Sequence, residues 1–196
     1  MKPAAFLVAL ALIAPKVLAA PASAQAASAA VAAEAVQSPP KDGAKERPAL
    51  SHYNVDKKGL ALEGRDPVAY FPEFGGKAVK GDKKITATHA GVTYRFKSEA
   101  NRKAFLASPA KFEPAYGGWC AWAMVDGKGD KVEVDPDSFT VENGRLYVFY
   151  DGFFNDTRKS WKKKGGAQKL AAGADKNWKR ISGEDAPPVE KPKDNR

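Results

Sequence analysis

A single cysteine, Cys120, is the side chain of this 196-residue sequence best suited to nucleophilic or metal chemistry. It stands in the segment YGGWCAWAM, after two glycines and between two tryptophans. If a helix begins after Gly118, the thiol lies in the first turn, where the positive end of the helix favours a thiolate. A thiolate attacks disulfides and peroxides and binds soft metal ions. Cys120 is therefore the predicted catalytic or metal-binding residue.

Met124 and His89 complete the predicted metal site. On a helix, Met124 would lie four residues from Cys120 on the same face, and a thiolate with a thioether suits Cu(I). The chain has two histidines, His52 and His89, and either could supply a further ligand. The alternative is core packing, because buried Cys and Met are common in apolar interiors. Copper is thus the cofactor to test, although the sequence contains no CxxC or paired-histidine signature.

The cysteine count also limits redox chemistry. Exported proteins normally pair their cysteines, so a single one indicates a functional thiol, an intermolecular bond or a small buried side chain. A peroxidatic Cys120 would need a resolving thiol from another molecule. The sequence has no GxSxG elbow and no glycine-rich phosphate loop. Whether the protein is an enzyme stays open, and the expected ligand is a soft metal ion or a thiol partner.

Two predicted β-hairpins must position this segment. One turns at Ala90-Gly91 and the other at Asn143-Gly144, a pair that strongly favours a hairpin turn. Strand residues there are β-branched or aromatic and alternate in polarity. The predicted strands are residues 84–89, 92–96, 138–141 and 145–150. We expect an α+β fold in which the two hairpins form one small antiparallel sheet, with helices packed against it in a single domain.

Helices are predicted after the first hairpin and at the end of the domain. Ser98 is the expected N-cap of a helix that cannot continue past Pro109. Two later helices show apolar residues at helical spacing, and we expect these to be core residues. They are Phe153, Thr157 and Trp161 in one helix, and Ala167, Leu170, Ala171, Ala174 and Trp178 in the other.

The ends of the chain predict export. Residues 1–26 combine a lysine, an apolar run too short to span a bilayer and small residues suited to cleavage, which is typical of a signal peptide; a retained anchor is the alternative. Residues 27–50 are expected to be a flexible linker and residues 183–196 a disordered tail. The domain would occupy residues 51–182, in a protein that is periplasmic or secreted.

Positive charge is concentrated late in the chain. The net charge is +9, and residues 151–182 alone carry nine Lys and Arg against three Asp and Glu. A basic face of this kind fits weak contact with an anionic membrane surface or an acidic partner, or a helix face that is merely solvated. No nucleic-acid motif accompanies it, so nucleic acid is not an expected partner. The oligomeric state cannot be read from these patterns.

Several segments taken in order resemble the YHS domain family, and specifically its exported branch, which includes selenoproteins. The resemblance covers about 60 residues, and the motif order is more specific than any single motif. The matching segments are residues 64–71 (GRDPVAYF), 91–96 (GVTYRF), 98–101 (SEAN) with Phe105, Pro109 with Lys111-Phe112, and 116–121 (YGGWCA).

The resemblance implies a role for Cys120 but does not bring over the metal site of other YHS domains. In YHS domains attached to copper-transporting ATPases, cysteines occupy positions that correspond here to Ala69, Lys97 and Asn101, so that metal role does not carry over. In the exported branch, some members have selenocysteine where this chain has Cys120. The resemblance therefore implies a redox or soft-metal role for Cys120. The alternative is a non-catalytic envelope binding module that uses an aromatic surface or the basic C-terminal helices.

Overall fold

Three antiparallel hairpins, five α-helices and four short 3-10 helices form the part of the chain that the computed structural model describes, residues 49–125 and 128–189. The predicted α+β class is confirmed. The strands are β1 (Asp82–His89), β2 (Val92–Phe96), β3 (Asp135–Glu142), β4 (Arg145–Phe149), β5 (Asp151–Gly152) and β6 (Asn155–Asp156). The helices are α1 (Glu99–Ala107), α2 (Pro109–Phe112), α3 (Ala121–Val125), α4 (Thr157–Lys163) and α5 (Gly166–Ser182).

Both predicted hairpins form, but they do not join into one sheet. Within the described residues, β1 pairs only with β2, β3 with β4, and β5 with β6, so each hairpin is a separate two-stranded sheet. The β1–β2 and β3–β4 registers each shift once along the strand. The third hairpin, β5–β6, was not predicted, because two-residue strands are too short to show an alternating pattern.

Strand β4 is covered on both faces. Its outer edge is bridged at Leu146 by Pro114, and the outer edge of β2 is bridged at Thr93 by Leu60, so β2 and β4 do not pair with each other. Successive side chains of a strand point to opposite faces. Leu146 and Val148 belong to a first core cluster, with β1, β2 and α1. Tyr147 and Phe149 belong to a second, with α3, α4 and α5. The β3–β4 hairpin is therefore the layer between two hydrophobic cores, which is also why all five β4 residues are buried.

The first cluster is tied together by a buried carboxylate, Asp66, whose side chain has no exposed surface. It accepts hydrogen bonds from the backbone N–H groups of Val68 (2.9 Å) and Lys97 (2.8 Å) and from Asn101 Nδ2 (2.7 Å). Ser98 caps α1 as predicted, accepting from the Asn101 N–H. Asp66 thereby joins the 66–71 turn to the first turn of α1.

The second cluster confirms the packing predicted for the C-terminal helices, with one exception. Trp161 and Trp178 are buried, and α4 begins at Thr157 with Asp156 as its N-cap. The prediction that Phe153 belongs to this helical stripe is wrong. Phe153 lies in the turn of the β5–β6 hairpin and is 95% exposed. The four-residue spacing misled because the chain is still extended at Asn155.

The predicted signal peptide lies outside the described residues, as does the linker up to residue 48. All described residues fall in one unit, and both core clusters are built between Tyr53 and Ala186. Part of the predicted tail is packed rather than free: the Tyr53 hydroxyl donates to Glu184, and Lys179 pairs with Asp185. No helix among the described residues is long and apolar enough to cross a membrane.

Candidate functional site

The backbone before Cys120 takes a left-handed turn. Tyr116, Gly117 and Gly118 have φ values of 57°, 61° and 84°, a region that favours glycine. Gly117 is also required by space, because a Cβ there would lie 2.7 Å from the Trp178 ring. Asn54 holds the turn from outside: its backbone N–H donates to the Gly117 carbonyl (2.8 Å) and its side-chain amide to the Gly118 carbonyl (3.2 Å). The two glycines thus allow the turn after which the chain enters the interior at Cys120.

Cys120 stands just before α3 rather than in the first turn of a long helix. Its N–H donates to the Val132 carbonyl (3.0 Å), and its carbonyl accepts from the Met124 N–H (3.2 Å). Helix α3 has only five residues, so its dipole adds little to the site. Cys120 and Met124 are both 0% exposed. The two sulfur residues therefore share one turn of chain inside the protein.

Thr157 is the polar partner of the thiol. The Thr157 hydroxyl donates to the Tyr150 carbonyl (2.7 Å), and it lies 3.4 Å from Cys120 Sγ. Since the hydroxyl hydrogen is used on the carbonyl, the remaining contact has the Cys120 S–H donating to Thr157 Oγ1. The arrangement therefore accommodates a protonated thiol. It links Cys120 to the first residue of α4 and to the base of the β5–β6 hairpin.

His89, the third predicted metal ligand, lies in a different part of the fold. It ends β1, and its ring packs edge-on against Phe105 of the first cluster, with ring centroids 6.2 Å apart. Met124 belongs to the second cluster. Across the described part of the chain, no group of three or more His, Cys, Asp or Glu side chains could hold a metal ion. What the structure brings together is therefore Cys120, Met124 and Thr157.

A buried charged group lies beside this region. Arg145 Nη1 pairs with Asp175 Oδ1 (2.7 Å), which also accepts from the Tyr116 hydroxyl (2.9 Å). Burial raises the pKa of Tyr116, and the neighbouring Asp175 carboxylate raises it further. Burial also raises the pKa of Tyr147 to about 12, against the opposing effect of Arg145. Through Asp175, Arg145 links β4 to α5 and Tyr116 links the 116–118 turn to α5.

The outer faces of α4 and α5 form a second candidate site, here called the basic face. Both helices carry exposed basic side chains, and their only acid, Asp175, is turned inward to Arg145. Within the described residues, Lys162, Lys163 and Lys164 take part in no ion pair. The exposed residues of the basic face are Lys159, Lys162, Lys163, Lys164, Lys169, Lys176, Lys179 and Arg180.

The chain matches no protein-family model, no curated protein and no solved structure in the comparisons made. Two residues of the Cys120 site were not anticipated from sequence. The helical spacing predicts Thr157 as part of a core stripe, and Asn54 lies 64 residues from Gly118, whose carbonyl accepts its side-chain hydrogen bond. No local pattern signals either residue, because both act through contacts between distant segments.

Proposed function

We propose that this protein is an exported, YHS-type binding module that attaches to an anionic surface of the cell envelope through the basic face of α4 and α5. The observation that carries the proposal is the separation of charge on these helices. Nine basic residues lie between Thr157 and Ser182, and the single acid among them is paired with a buried arginine. Flanking acids pair with Lys159 and Lys179, and the other six residues of the basic face take part in no ion pair among the described residues.

The contributions of the individual basic residues to the binding free energy add up. A lysine or arginine held near an anionic membrane surface contributes about 1 kcal/mol of attraction. Lys162, Lys163 and Lys164 follow one another at the C-terminal end of α4, where the helix dipole also favours positive charge. Each contact is weak, but several together give the basic face a measurable affinity for an anionic surface.

Export and family membership are part of the same proposal. The N-terminal segment has the charge, apolar length and small residues of a signal peptide, and the YHS-like motifs run from Gly64 to Ala121. A periplasmic or secreted location would place the basic face next to anionic envelope components. Edman sequencing of the exported protein is the direct test: a mature N-terminus near Ala27 supports export, and an intact Met1 in the cytoplasm contradicts it.

The binding test uses the chain from Ala27 onward, which retains the whole unit Pro39–Arg196. Retention on immobilised heparin, a polyanion probe, is measured as a function of salt. We expect retention to weaken steeply with salt. The variant Lys162→Glu/Lys163→Glu/Lys164→Glu should bind about a hundredfold more weakly, since about 1 kcal/mol is lost for each lysine.

The matched control reverses three exposed lysines elsewhere, as Lys83→Glu/Lys84→Glu/Lys103→Glu. It changes the net charge by the same amount, so it should have a much smaller effect if the basic face is the binding site. Equal losses in the two variants would mean that only net charge matters and would refute a defined face. Absence of salt-dependent retention in the unaltered protein would refute the proposal itself.

A second proposal concerns Cys120. The chain's single thiol lies within one turn of Met124 and 3.4 Å from a hydroxyl, and the family resemblance implies redox or soft-metal chemistry there. Because Cys120 is 0% exposed, Cu(I) or a thiol partner would reach it only after local opening of the chain around α3 and α4.

A further inference from the structure

Two adjacent phenylalanines at the end of the third hairpin are exposed to solvent. Phe153 is 95% exposed and Phe154 is 94% exposed. Their rings contact each other edge to face, with centroids 4.6 Å apart. The other exposed large apolar side chains of the described residues are Leu50, Tyr150 and Val189, at 39–47%. Large apolar side chains projecting together from a surface indicate a binding site.

The hairpin is built to hold this tip in place. At its base, the Tyr150 carbonyl accepts from both the N–H (3.1 Å) and the hydroxyl (2.7 Å) of Thr157. A Cβ at position 152 would clash with the Tyr150 hydroxyl, so Gly152 leaves room for this side chain. Asp156 caps the following helix. The tip is thus presented by a defined turn anchored to α4.

Basic residues follow the tip at once. Arg158 and Lys159 lie in the first turn of α4, where both pair with Asp156. Lys162 and Lys163 lie in its last turn and have no acidic partner among the described residues. Helix α4 has seven residues, so it is about 10 Å long. That length is comparable to the distance over which exposed charges act at physiological salt, about 8 Å. The lysines at the end of α4 therefore lie about one helix length from the residue that follows the hairpin.

We infer that the Phe153–Phe154 tip inserts into the interfacial region of an anionic phospholipid bilayer while the lysines of α4 contact lipid headgroups. The inference rests on the proposed function and names its partner. A lipid interface accepts aromatic side chains beside lysines. A protein partner fits less well, because stable protein interfaces bury about 800 Å² on each side and exclude lysine from their centres. Two rings bordered by lysines do not make such a patch.

Vesicle co-sedimentation of the chain from Ala27 onward tests the inference. The vesicles contain phosphatidylcholine alone or phosphatidylcholine with phosphatidylglycerol. We expect binding to the mixed vesicles, and at least about tenfold weaker binding for Phe153→Ser/Phe154→Ser, since burial of two aromatic rings is lost. Leu50→Ser/Val189→Ser removes two other exposed apolar side chains and should bind like the unaltered protein. Phe153→Leu/Phe154→Leu keeps apolar side chains at the tip and should retain most of the binding.

Heparin retention separates this inference from the proposed function. We expect Phe153→Ser/Phe154→Ser to leave heparin retention unchanged, and an unchanged far-ultraviolet circular dichroism spectrum shows that the variant is folded. If that variant binds mixed vesicles as tightly as the unaltered protein, the insertion inference is overturned and the basic face stands alone. If the unaltered protein is retained on heparin but binds neither kind of vesicle, lipid is not the partner. If it binds neither, both proposals fail.

Discussion

The thiol of Cys120 is hydrogen-bonded and buried, so reagents reach it only when the surrounding chain opens. It donates to Thr157, whose own hydrogen is committed to the Tyr150 carbonyl. A buried thiol with a satisfied hydrogen bond is stable in the folded chain and protected from large reagents. Reaction therefore depends on how often α3 and α4 separate, which is a property of local stability.

We expect slow alkylation of Cys120 by iodoacetamide in the native protein and fast alkylation in urea. The proposal for soft-metal chemistry also predicts anaerobic Cu(I) binding that Cys120→Ser abolishes and Met124→Leu weakens. Equal Cu(I) affinity in the Met124→Leu and unaltered proteins would remove Met124 from the site. If Cu(I) is not bound and alkylation remains slow, Cys120 is a packing residue.

Tyr147 predicts a loss of stability in alkali. Burial raises the pKa of Tyr147 from 10.0 to about 12, so the folded chain keeps this proton after the unfolded chain has lost it. Its contribution to stability is complete below about pH 10 and falls as the pH rises towards about 12. Urea denaturation measured between pH 9 and pH 12 should show this fall, and Tyr147→Phe should reduce its slope.

The same Tyr147→Phe variant has a second expected result at pH 7. Among the described residues, the buried Tyr147 hydroxyl has no hydrogen-bond partner. Removing it should therefore be neutral or stabilising by up to about 1 kcal/mol. A loss of several kcal/mol in urea denaturation would show that the hydroxyl is bonded in solution, and an unchanged alkaline slope would show that Tyr147 does not titrate as described.

At the scale of elements, the fold depends on short turns held by side chains. Asp66 joins the 66–71 turn to α1, and Asn54 holds the left-handed turn before Cys120. The hairpins are only two strands wide, so each is marginal alone. Their stability comes from packing and from these polar links between segments far apart in sequence.

Two aspartates allow a matched test of that view. Asp66 and Asp56 each accept two nearby backbone N–H groups, but Asp66 is buried and also bonds to Lys97 and Asn101, whereas Asp56 is exposed. Asp66→Ala should cost about 3 kcal/mol or more, because it leaves buried donors unpaired. Asp56→Ala should cost about 1 kcal/mol or less. Similar losses of unfolding free energy in the two variants would show that Asp66 is not the link described.

At the scale of the whole molecule, β4 makes the two hydrophobic clusters interdependent. Leu146 and Val148 face the first cluster, and Tyr147 and Phe149 face the second. Neither cluster can lose β4 without exposing a core face. We therefore expect the described unit to unfold in one cooperative transition.

Leu146→Ala tests this coupling. Loss of a fully buried leucine should cost about 2–5 kcal/mol. The midpoint should fall equally by far-ultraviolet circular dichroism and by tryptophan fluorescence, although Trp161 and Trp178 belong to the other cluster. Leu106→Ala, a partly buried position in α1, should cost less and also give coincident transitions. Two separate transitions in either variant would show that the clusters unfold independently.

Patterns between near neighbours in the sequence are enough to predict several of the local elements. Alternating apolar residues, Asn143-Gly144 and the Ser98 cap predict the two long hairpins and α1, because they depend on interactions between near neighbours. The helical stripe from Ala167 to Trp178 likewise predicts α5 and its buried face. The cysteine count and the glycines and tryptophans around it single out Cys120.

The tertiary structure decided what those elements do. It kept the hairpins in different sheets, with other segments bridged to the edges of β2 and β4, and it supplied Thr157 as the partner of Cys120. It placed His89 beside Phe105 and turned Phe153 out to solvent at a two-residue hairpin. Each of these outcomes depends on contacts between segments distant in the chain, and spacing along one segment carries no information about such contacts.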